Sequence, residues 1–325
     1  MITVLAGGVG AARLLRGLVR VVPPEALLAV VNTGDDTVLH GLNISPDLDT
    51  VTYTLAEAID PARGWGLAGE TWRAMEALQR YAAVRPLGST AATTWFNLGD
   101  HDLATHLYRT ARLREGASLT DVSAEIARAW QLGLQITPMC DEPVSTLVTL
   151  AGDEDGREVS FQEYFVERRH DVAVRSVRFA GAAEARPGFL VALAEAAAVV
   201  IAPSNPIVSV GPIRALPGVD AALAARREQV VAVSPIVAGE ALKGPAARML
   251  AELGHEASVV GVARLYAEVC GTLVIDSLDA AVAPAVEAEG LRCVVTDTVM
   301  STPEVAAALG ATALAAVGCG TGRAS

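Results

Sequence analysis

Four aspartates lie close together in the segment TGDDTVLHGLNISPDLDT and are the side chains of this chain best suited to hold a cation. They are Asp35, Asp36, Asp47 and Asp49. Crowded carboxylates are costly unless a positive charge joins them, and Mg²⁺ commonly takes one or two carboxylates together with phosphate oxygens. The segment therefore predicts a magnesium site, with solvated turn or helix-capping aspartates as the alternative.

A glycine-rich turn near the start of the chain is the second chemical feature. The apolar run 2–5 is typical of a buried strand, and a helical pattern begins just after the turn. The turn itself consists of Gly7, Gly8, Val9 and Gly10. Glycines let the backbone approach a ligand closely, and free N–H groups at a helix start attract anions. We expect phosphate binding here, although the turn is neither a Walker loop nor a GxGxxG motif. A tight turn without a ligand is the alternative.

Two other loops carry polar residues that suit a ligand. Ser204 and Asn205 follow an apolar run, and an asparagine amide offers both a donor and an acceptor to a purine edge or a ribose. An ordinary Asn-Pro turn is the alternative. Lys243, the single lysine of the chain, precedes a helical pattern, where it meets a phosphate or remains solvated. A proline-bounded loop contains Met139, Cys140 and Asp141. The pattern alone does not separate a substrate loop from a connector there.

The segment TWFNLGDHDLATH, residues 94–106, is dense in aromatic, acidic and histidine side chains. Trp95 or Phe96 offers a surface on which a planar heterocycle can stack, although such residues more often belong to a core. His101 and His106 are five residues apart and so do not share one helix face. The segment therefore does not predict a zinc site of the HExxH type.

Strand-like and helix-like runs alternate along most of the chain, which argues for a parallel, doubly wound sheet. The predicted strands are 2–5, 27–32, 199–202, 229–233, 273–276 and 293–297. Polar loops follow four predicted strands, at 7–10, 32–36, 203–206 and 234–238. Ligands of such folds bind where loops leave the carboxyl ends of the strands. The recurrence of polar loops therefore supports a ligand site at that edge.

The middle of the chain has a different pattern. Three amphipathic helices are predicted, at 70–81, 101–114 and 120–132, followed by more polar strand-like runs at 144–151, 159–161 and 172–179. We predict an α/β fold with a Rossmann-like, doubly wound, mostly parallel sheet. Its core comprises 1–60 and 186–325, and 61–185 forms an inserted helical and α+β lobe.

Composition narrows the classes of function. The chain has 325 residues, 52% of them hydrophobic, a formal net charge of −12 and no run of basic residues, so we expect no nucleic-acid partner. We find neither an apolar stretch long enough to span a membrane nor the pattern of a signal peptide. The four cysteines show no CxxC spacing, which is typical of reduced thiols. We therefore expect a cytoplasmic protein without a membrane partner.

Taken together, these segments resemble a known family, the 2-phospho-L-lactate transferases of coenzyme F420 biosynthesis (the CofD and FbiA type). The resemblance spans nearly the whole chain, in family order and with compatible spacing. The matching segments are LAGGVGAARLLRGL, VNTGDD, HGLNISPDLDTVTYTLAE, TTWFNLGDHDLATHLYRT, ITPMCDEPVSTLV, APSNPIVSVGPI, VSPIVAGEALKGPAARML and VVTDTVM. Ala11 and Arg13 replace a glycine and a lysine that the family often has, and Arg13 keeps the charge.

The resemblance implies a reaction and its participants. A three-carbon acid, activated as a guanosine diphosphate diester, reacts with the ribityl hydroxyl of the deazaflavin Fo, and GMP leaves. Positioning and charge neutralisation dominate such phosphoryl-type transfers. The family also implies a homodimer. The donor is either the 2-phospho-L-lactyl or the phosphoenolpyruvyl compound, and the composition, typical of a high-GC bacterium, favours the latter.

The resemblance also implies a role for each candidate residue. Asp49 is the expected catalytic residue, and Asp49 with Asp36 would hold Mg²⁺. The expected nucleotide and phosphate ligands are Gly7, Gly8, Val9, Gly10, Ser204, Asn205 and Lys243. The expected Fo ligands are Asp49, Thr94, Trp95, Asp102, Met139, Cys140 and Asp141.

Two other functions are compatible with part of the same set of sequence motifs. A non-enzymatic regulator that binds nucleotide sugars on a related scaffold would explain the glycine turn and the Ser204 loop, but it would not require the 94–106 and 139–141 segments. A nicotinamide-dependent dehydrogenase is disfavoured by the missing third glycine and by the lack of a clearly placed acidic residue after the second strand.

Overall fold

The centre of the protein is a seven-stranded parallel sheet, seen in a computed structural model that describes residues 1–152, 156–241 and 244–320. Its strands are β1 (Ile2–Ala6), β2 (Leu27–Val31), β5 (Gln135–Pro138), β9 (Ala198–Ile201), β10 (Val230–Val233), β13 (Thr272–Asp276) and β14 (Arg292–Thr296). Their order is β14-β13-β10-β9-β1-β2-β5, and each neighbouring pair is parallel. The predicted α/β sheet is confirmed.

Apolar residues on both faces of each inner strand explain why these segments form a buried parallel sheet. In β1, Val4 faces one core together with Leu14 and Val31, whereas Leu5 faces the other core together with Val30. All of these side chains are buried. Strands that are covered on both sides read as continuous apolar runs, and this is the pattern that predicts them from sequence.

Helices cover both faces of the sheet. They are α1 (Gly8–Val21), α2 (Pro46–Leu55), α3 (Arg73–Ala82), α4 (Asp102–Arg114), α5 (Leu119–Ala129), α6 (Leu190–Glu195), α7 (Gly211–Arg214), α8 (Val219–Ala224), α9 (Ala246–Glu252), α10 (Val259–Tyr266), α11 (Ala283–Ala288) and α12 (Pro303–Ala316). Short 3-10 turns lie at Pro24–Ala26, Arg227–Gln229 and Ser277–Val282, and π-helical turns at Glu163–Glu167 and Pro206–Val210. In the part of the chain that the structure describes, no helix is both long and apolar enough to cross a membrane.

Three small antiparallel sheets lie outside the central sheet. They comprise β3 (Thr37–Leu39) with β4 (Leu42–Ile44), β11 (Ile236–Val237) with β12 (Glu240–Ala241), and β6 (Ser145–Leu150) between β7 (Glu158–Ser160) and β8 (Val174–Ala180). The predicted helices and polar strands of the middle of the chain are present close to their predicted bounds.

Strand β5 departs from the expected organisation. It lies within 61–185, the range predicted to form an inserted lobe, yet it pairs with β2 at one edge of the central sheet. This range therefore supplies a strand of the sheet as well as the small sheet of β6 to β8 and helices α3 to α5. The division of the chain at 60 and 185 stays a prediction.

The strand order reverses beside β1. From β1 the chain builds outward through β2 to β5 on one side, and from β9 through β14 on the other. The loops after β1 and β9 therefore flank a crevice at the carboxyl edge, which is the usual ligand position in open parallel sheets. The loop after β2 and the beginning of α2 join this edge.

Candidate active site

The glycine turn packs against a carboxylate of the chain itself. Gly8 has a φ of 70°, which favours glycine, and it begins α1. A Cβ built on Gly7 would lie 3.0 Å from Asp47 Oδ2, and one built on Gly8 would lie 3.7 Å from Asp47 Oδ1. The nearby Gly8 backbone lowers the pKa of Asp47, although burial raises it more. An internal anion therefore already faces the N-terminus of α1, where the turn was expected to bind phosphate.

Asp35 and Asp47 are two buried carboxyl groups joined by one amide. Asn32 Nδ2 donates to Asp35 Oδ1 at 2.8 Å and to Asp47 Oδ2 at 3.0 Å. Gln162 Nε2, from the segment after β7, donates to Asp35 Oδ2 at 3.2 Å. Burial and the neighbouring Asp47 raise the pKa of Asp35 well above its usual value, and burial raises the pKa of Asp47 to about 6. The amide donors therefore compensate the negative charges of Asp35 and Asp47 only in part.

Asp36 presents one oxygen that has no hydrogen-bond partner among the described residues. Its Oδ2 accepts a hydrogen bond from Ser45 Oγ at 2.6 Å. Its Oδ1 is shielded from solvent and finds no hydrogen-bond donor among the described residues. Burial raises the pKa of Asp36 well above its usual range, although Ser45 and Arg109 oppose that rise. A shielded carboxylate oxygen without a donor fits a hard cation such as Mg²⁺, which binds oxygen ligands.

Asp49 is held by an arginine from a distant part of the chain. Both oxygens of Asp49 face the guanidinium of Arg109, with Nη1 at 3.2 Å from Oδ2 and Nη2 on Oδ1. Asp49 lies in the first turn of α2, whereas Arg109 lies on α4, and both side chains are buried. This ion pair therefore links Asp49, the expected catalytic residue, to helix α4 of the range 61–185.

The face of α4 that meets α2 carries more polar groups. Tyr53 Oη donates to Asp102 Oδ1 at 2.5 Å, and His106 Nε2 lies 3.1 Å from Asp102 Oδ2. Potential ligand atoms of Asp49, Asp102 and His106 all lie within 4.8 Å of one another. A histidine nitrogen among carboxylates suits transition metals better than Mg²⁺. Asp36 therefore fits the expected magnesium better than this trio does.

The candidate nucleotide-binding residues border the crevice, but their side chains form hydrogen bonds within the protein. Ser204 Oγ donates to the carbonyl of Gly7 at 2.8 Å. Asn205 Oδ1 accepts from the amides of Ile207 and Val208, as the alternative Asn-Pro turn predicts. A Cβ on Gly10 would lie 2.2 Å from the carbonyl oxygen of Pro203, so this glycine permits close packing of α1 on the loop. Lys243 lies outside the described residues.

The expected Fo residues lie in three places. Asp102 belongs to the polar face of α4, beside Asp49. Trp95 packs edge-on against Phe96, with ring centroids 5.8 Å apart, over a small apolar cluster that includes Met75 and Leu98. Thr94 beside it is exposed. The aromatic pair is thus partly core, as the alternative holds, and partly accessible.

The third place is the loop that follows β5. Met139 and Cys140 are buried in the core beside the sheet, and burial raises the pKa of the Cys140 thiol to about 12. Asp141 Oδ1 accepts a hydrogen bond from the Thr120 amide at 2.7 Å, near the beginning of α5. Among smaller causes, the charges of Glu142, Asp141 and Asp36 also raise the pKa of Cys140. The side chains of this loop face inward or cap a helix.

Sequence reasoning missed several residues that the structure brings to this cluster. They are Asn32, Tyr53, Arg109 and Gln162. The spacing of Asp102, His106 and Arg109, four and then three residues apart, places them on one helix face. That spacing was a usable signal, whereas nothing in the sequence points to Gln162.

Comparison with known proteins assigns the chain to a family. The family described as 2-phospho-L-lactate transferase CofD matches residues 2–313. A phosphoenolpyruvate transferase of Streptomyces griseus is 40% identical over 318 residues, which cover 96% of this chain and 97% of that protein. A phosphoenolpyruvate transferase of Mycolicibacterium smegmatis is 40% identical over 321 residues, covering 95% and 96%.

A solved structure has the same fold. The crystal structure of a UPF0052 family protein from Bacillus halodurans has a TM-score of 0.59 and 16% identity, covering 96% of this chain and 98% of that one. At this identity the likeness concerns the fold alone. The match along the sequence and the 40% identical relatives decide the assignment: the chain belongs to the 2-phospho-L-lactate transferase CofD family and is a transferase of coenzyme F420 biosynthesis.

Proposed function

We propose that the protein transfers a phosphoenolpyruvyl group from its guanosine diphosphate-activated donor to the deazaflavin Fo, with release of GMP. The ribityl hydroxyl oxygen forms the new bond to the phosphorus that bears the three-carbon acid, and the bond from that phosphorus to the GMP phosphate breaks. The names of the 40% identical relatives favour the phosphoenolpyruvyl donor over the 2-phospho-L-lactyl donor.

The observation that carries this proposal is the cluster of buried carboxylates at the crevice. Within the described part of the chain, Asp36 has an oxygen without a donor, and Asp49 is fixed by Arg109, at the edge where the glycine turn begins α1. Transfer from an anionic diphosphate donor needs positive charge and fixed geometry more than covalent catalysis. A shielded acidic site that recruits a cation meets both needs.

We assign Mg²⁺ to Asp36 and Asp49. When bound, the ion would neutralise the diphosphate of the donor. Asp49 is the catalytic residue of this proposal: its carboxylate accepts a hydrogen bond from the ribityl hydroxyl and orients that oxygen toward the phosphorus. An aspartate of the cluster takes the hydroxyl proton as the new bond forms.

The residues expected to bind the nucleotide and its phosphates line the crevice. Gly7, Gly8, Val9 and Gly10 would receive phosphate oxygens once the Asp47 carboxylate moves away from the turn, and Lys243 would lie near the same phosphates. Ser204 and Asn205 would contact guanosine. Among the described residues, the Asn205 amide nitrogen contacts only the Met249 sulfur, at 3.7 Å, so its donor capacity is largely unused.

Fo would lie between α4 and the loop after β5. Its expected ligands are Asp49, Thr94, Trp95, Asp102, Met139, Cys140 and Asp141. The partly accessible Trp95 would offer the stacking surface, and Met139 and Cys140 would contribute from the core beside the sheet, at the loop after β5. We also propose that the protein acts in the cytoplasm as a homodimer, as the family resemblance implies.

A mass-spectrometric assay tests the function. The protein, Fo and Mg²⁺ are mixed with the phosphoenolpyruvyl or the 2-phospho-L-lactyl guanosine donor in separate reactions. We expect Fo to gain the phosphoenolpyruvyl group and GMP to appear in equal amount, with slower or no transfer from the lactyl donor. If guanosine nucleotides bind but neither donor reacts, the regulator becomes the better explanation.

Replacing the two proposed metal ligands tests the site. We expect Asp36→Asn and Asp49→Asn each to lower kcat by about 100-fold or more, because charge stabilisation at the reacting phosphate is lost. Asp36→Asn should melt at or above the wild-type temperature, since it removes a half-buried carboxyl group whose pKa is raised. Asp171→Asn, at an exposed aspartate, is the matched control. Near-normal turnover of both cluster variants would refute the metal assignment.

The raised pKa of Asp47 predicts a pH-dependent stability. Because the pKa rises from 3.8 to about 6 on folding, the folded state binds the proton more tightly, so stability falls as pH rises from about 4 to 6. The full penalty, up to about 3 kcal/mol, then persists at higher pH. We expect Asp47→Asn to raise the melting temperature relative to wild type at pH 7.5 but hardly at pH 4. An equal difference at both pH values, as for Asp171→Asn, would contradict this.

A further inference from the structure

Arg109 is the largest fully buried side chain among the described residues, only 1% exposed. Burying a guanidinium is costly unless its charge and its donors find partners. Apart from His106 on the same helix, its partners come from the beginning of the chain: the Asp49 carboxylate and the Asn43 carbonyl, the latter 3.3 Å from Nη1. Arg109 therefore connects α4 to β4 and α2, the elements that follow strand β2 of the central sheet.

The contact with Asp49 uses the fork of the guanidinium. Each terminal nitrogen meets a different carboxylate oxygen, so the carboxylate cannot rotate without breaking a hydrogen bond. A lysine would supply the charge but not this two-point contact. Arg109 thus fixes the orientation of Asp49 as well as balancing its charge.

A second contact between the same two helices supports the fork. His106 Nδ1 lies 3.3 Å from Arg109 Nη1, which can only donate, and its Nε2 lies 3.1 Å from Asp102 Oδ2. The other oxygen of Asp102 accepts from Tyr53, one turn after Asp49 on α2. The two helices are therefore joined at two successive turns through one polar network.

We propose that Arg109 is a positioning residue for Asp49 in the transfer reaction, supported by His106 and by the Asp102–Tyr53 hydrogen bond. Arg109 acts through Asp49 and does not touch the substrate. The inference rests on the proposed function, since Asp49 is catalytic only there. The packing of α4 on α2 would then decide whether the Asp49 carboxylate points at the ribityl hydroxyl. A change in this packing would therefore alter kcat more than substrate binding.

Steady-state kinetics of Arg109→Lys test the positioning role. We expect kcat to fall at least about tenfold while KM for each substrate changes less than about threefold, as for a group needed mainly in the transition state. Arg114→Lys, on the exposed side of the same helix, should keep wild-type kinetics. A kcat within twofold of wild type for folded Arg109→Lys would overturn the proposal, as would a loss confined to KM.

Thermal melting tests the Arg109–Asp49 ion pair, here called the clamp, independently of activity. Arg109→Met should melt well below wild type because it leaves Asp49 buried and unpaired, and Arg109→Met with Asp49→Asn should regain several degrees. Failure of the double variant to recover would show that the pair is not coupled. If wild type transfers nothing while this recovery occurs, the proposed function fails and the clamp stands as a structural contact.

Discussion

The ion pair between Asp49 and Arg109 is the interaction on which the site depends. It buries two opposite charges from segments far apart in the sequence, one beside the central sheet and one on α4. Removing either partner leaves the other charged and shielded from water, which is far costlier than losing an exposed pair. The packing of α4 against α2 and the orientation of the Asp49 carboxylate, the proposed catalytic group, therefore depend on the same ion pair.

The rest of the cluster shows how far the protein compensates its own negative charge. Asn32 bridges Asp35 and Asp47, and Ser45 serves one oxygen of Asp36. These neutral donors leave the pKa values of all three carboxyl groups raised. A fold under selection for stability alone would not retain such a group of carboxylates. A bound cation and its phosphate ligands would explain it.

The sequence predicted the sheet well because its strands are continuous apolar runs that alternate with helical patterns. It missed β5, whose sequence Gln-Ile-Thr-Pro is short, half polar and ends in proline, so it is typical of a loop. Pairing with β2 on one side alone makes such an edge strand possible. Local patterns do not contain that tertiary contact.

The site was predictable in its aspartates but not in their partners. Glycine and aspartate motifs mark the crevice in the sequence, whereas Arg109 looks like any arginine of an amphipathic helix until α2 packs against it. His101 and His106 do not share a helix face, whereas the spacing of Asp102, His106 and Arg109 places these three on one face of α4. Whether Met139 and Cys140 contact Fo stays a prediction, since both side chains are buried.

A crystal structure with Fo, GDP and Mg²⁺ bound would test the central claim most directly. The account predicts the ribityl hydroxyl within hydrogen-bonding distance of Asp49, the ion on Asp36 and Asp49, and the Arg109 fork still closed. A structure in which Fo and the nucleotide lie away from these carboxylates, with Asp36 and Asp49 contacting neither ligand nor ion, would contradict it.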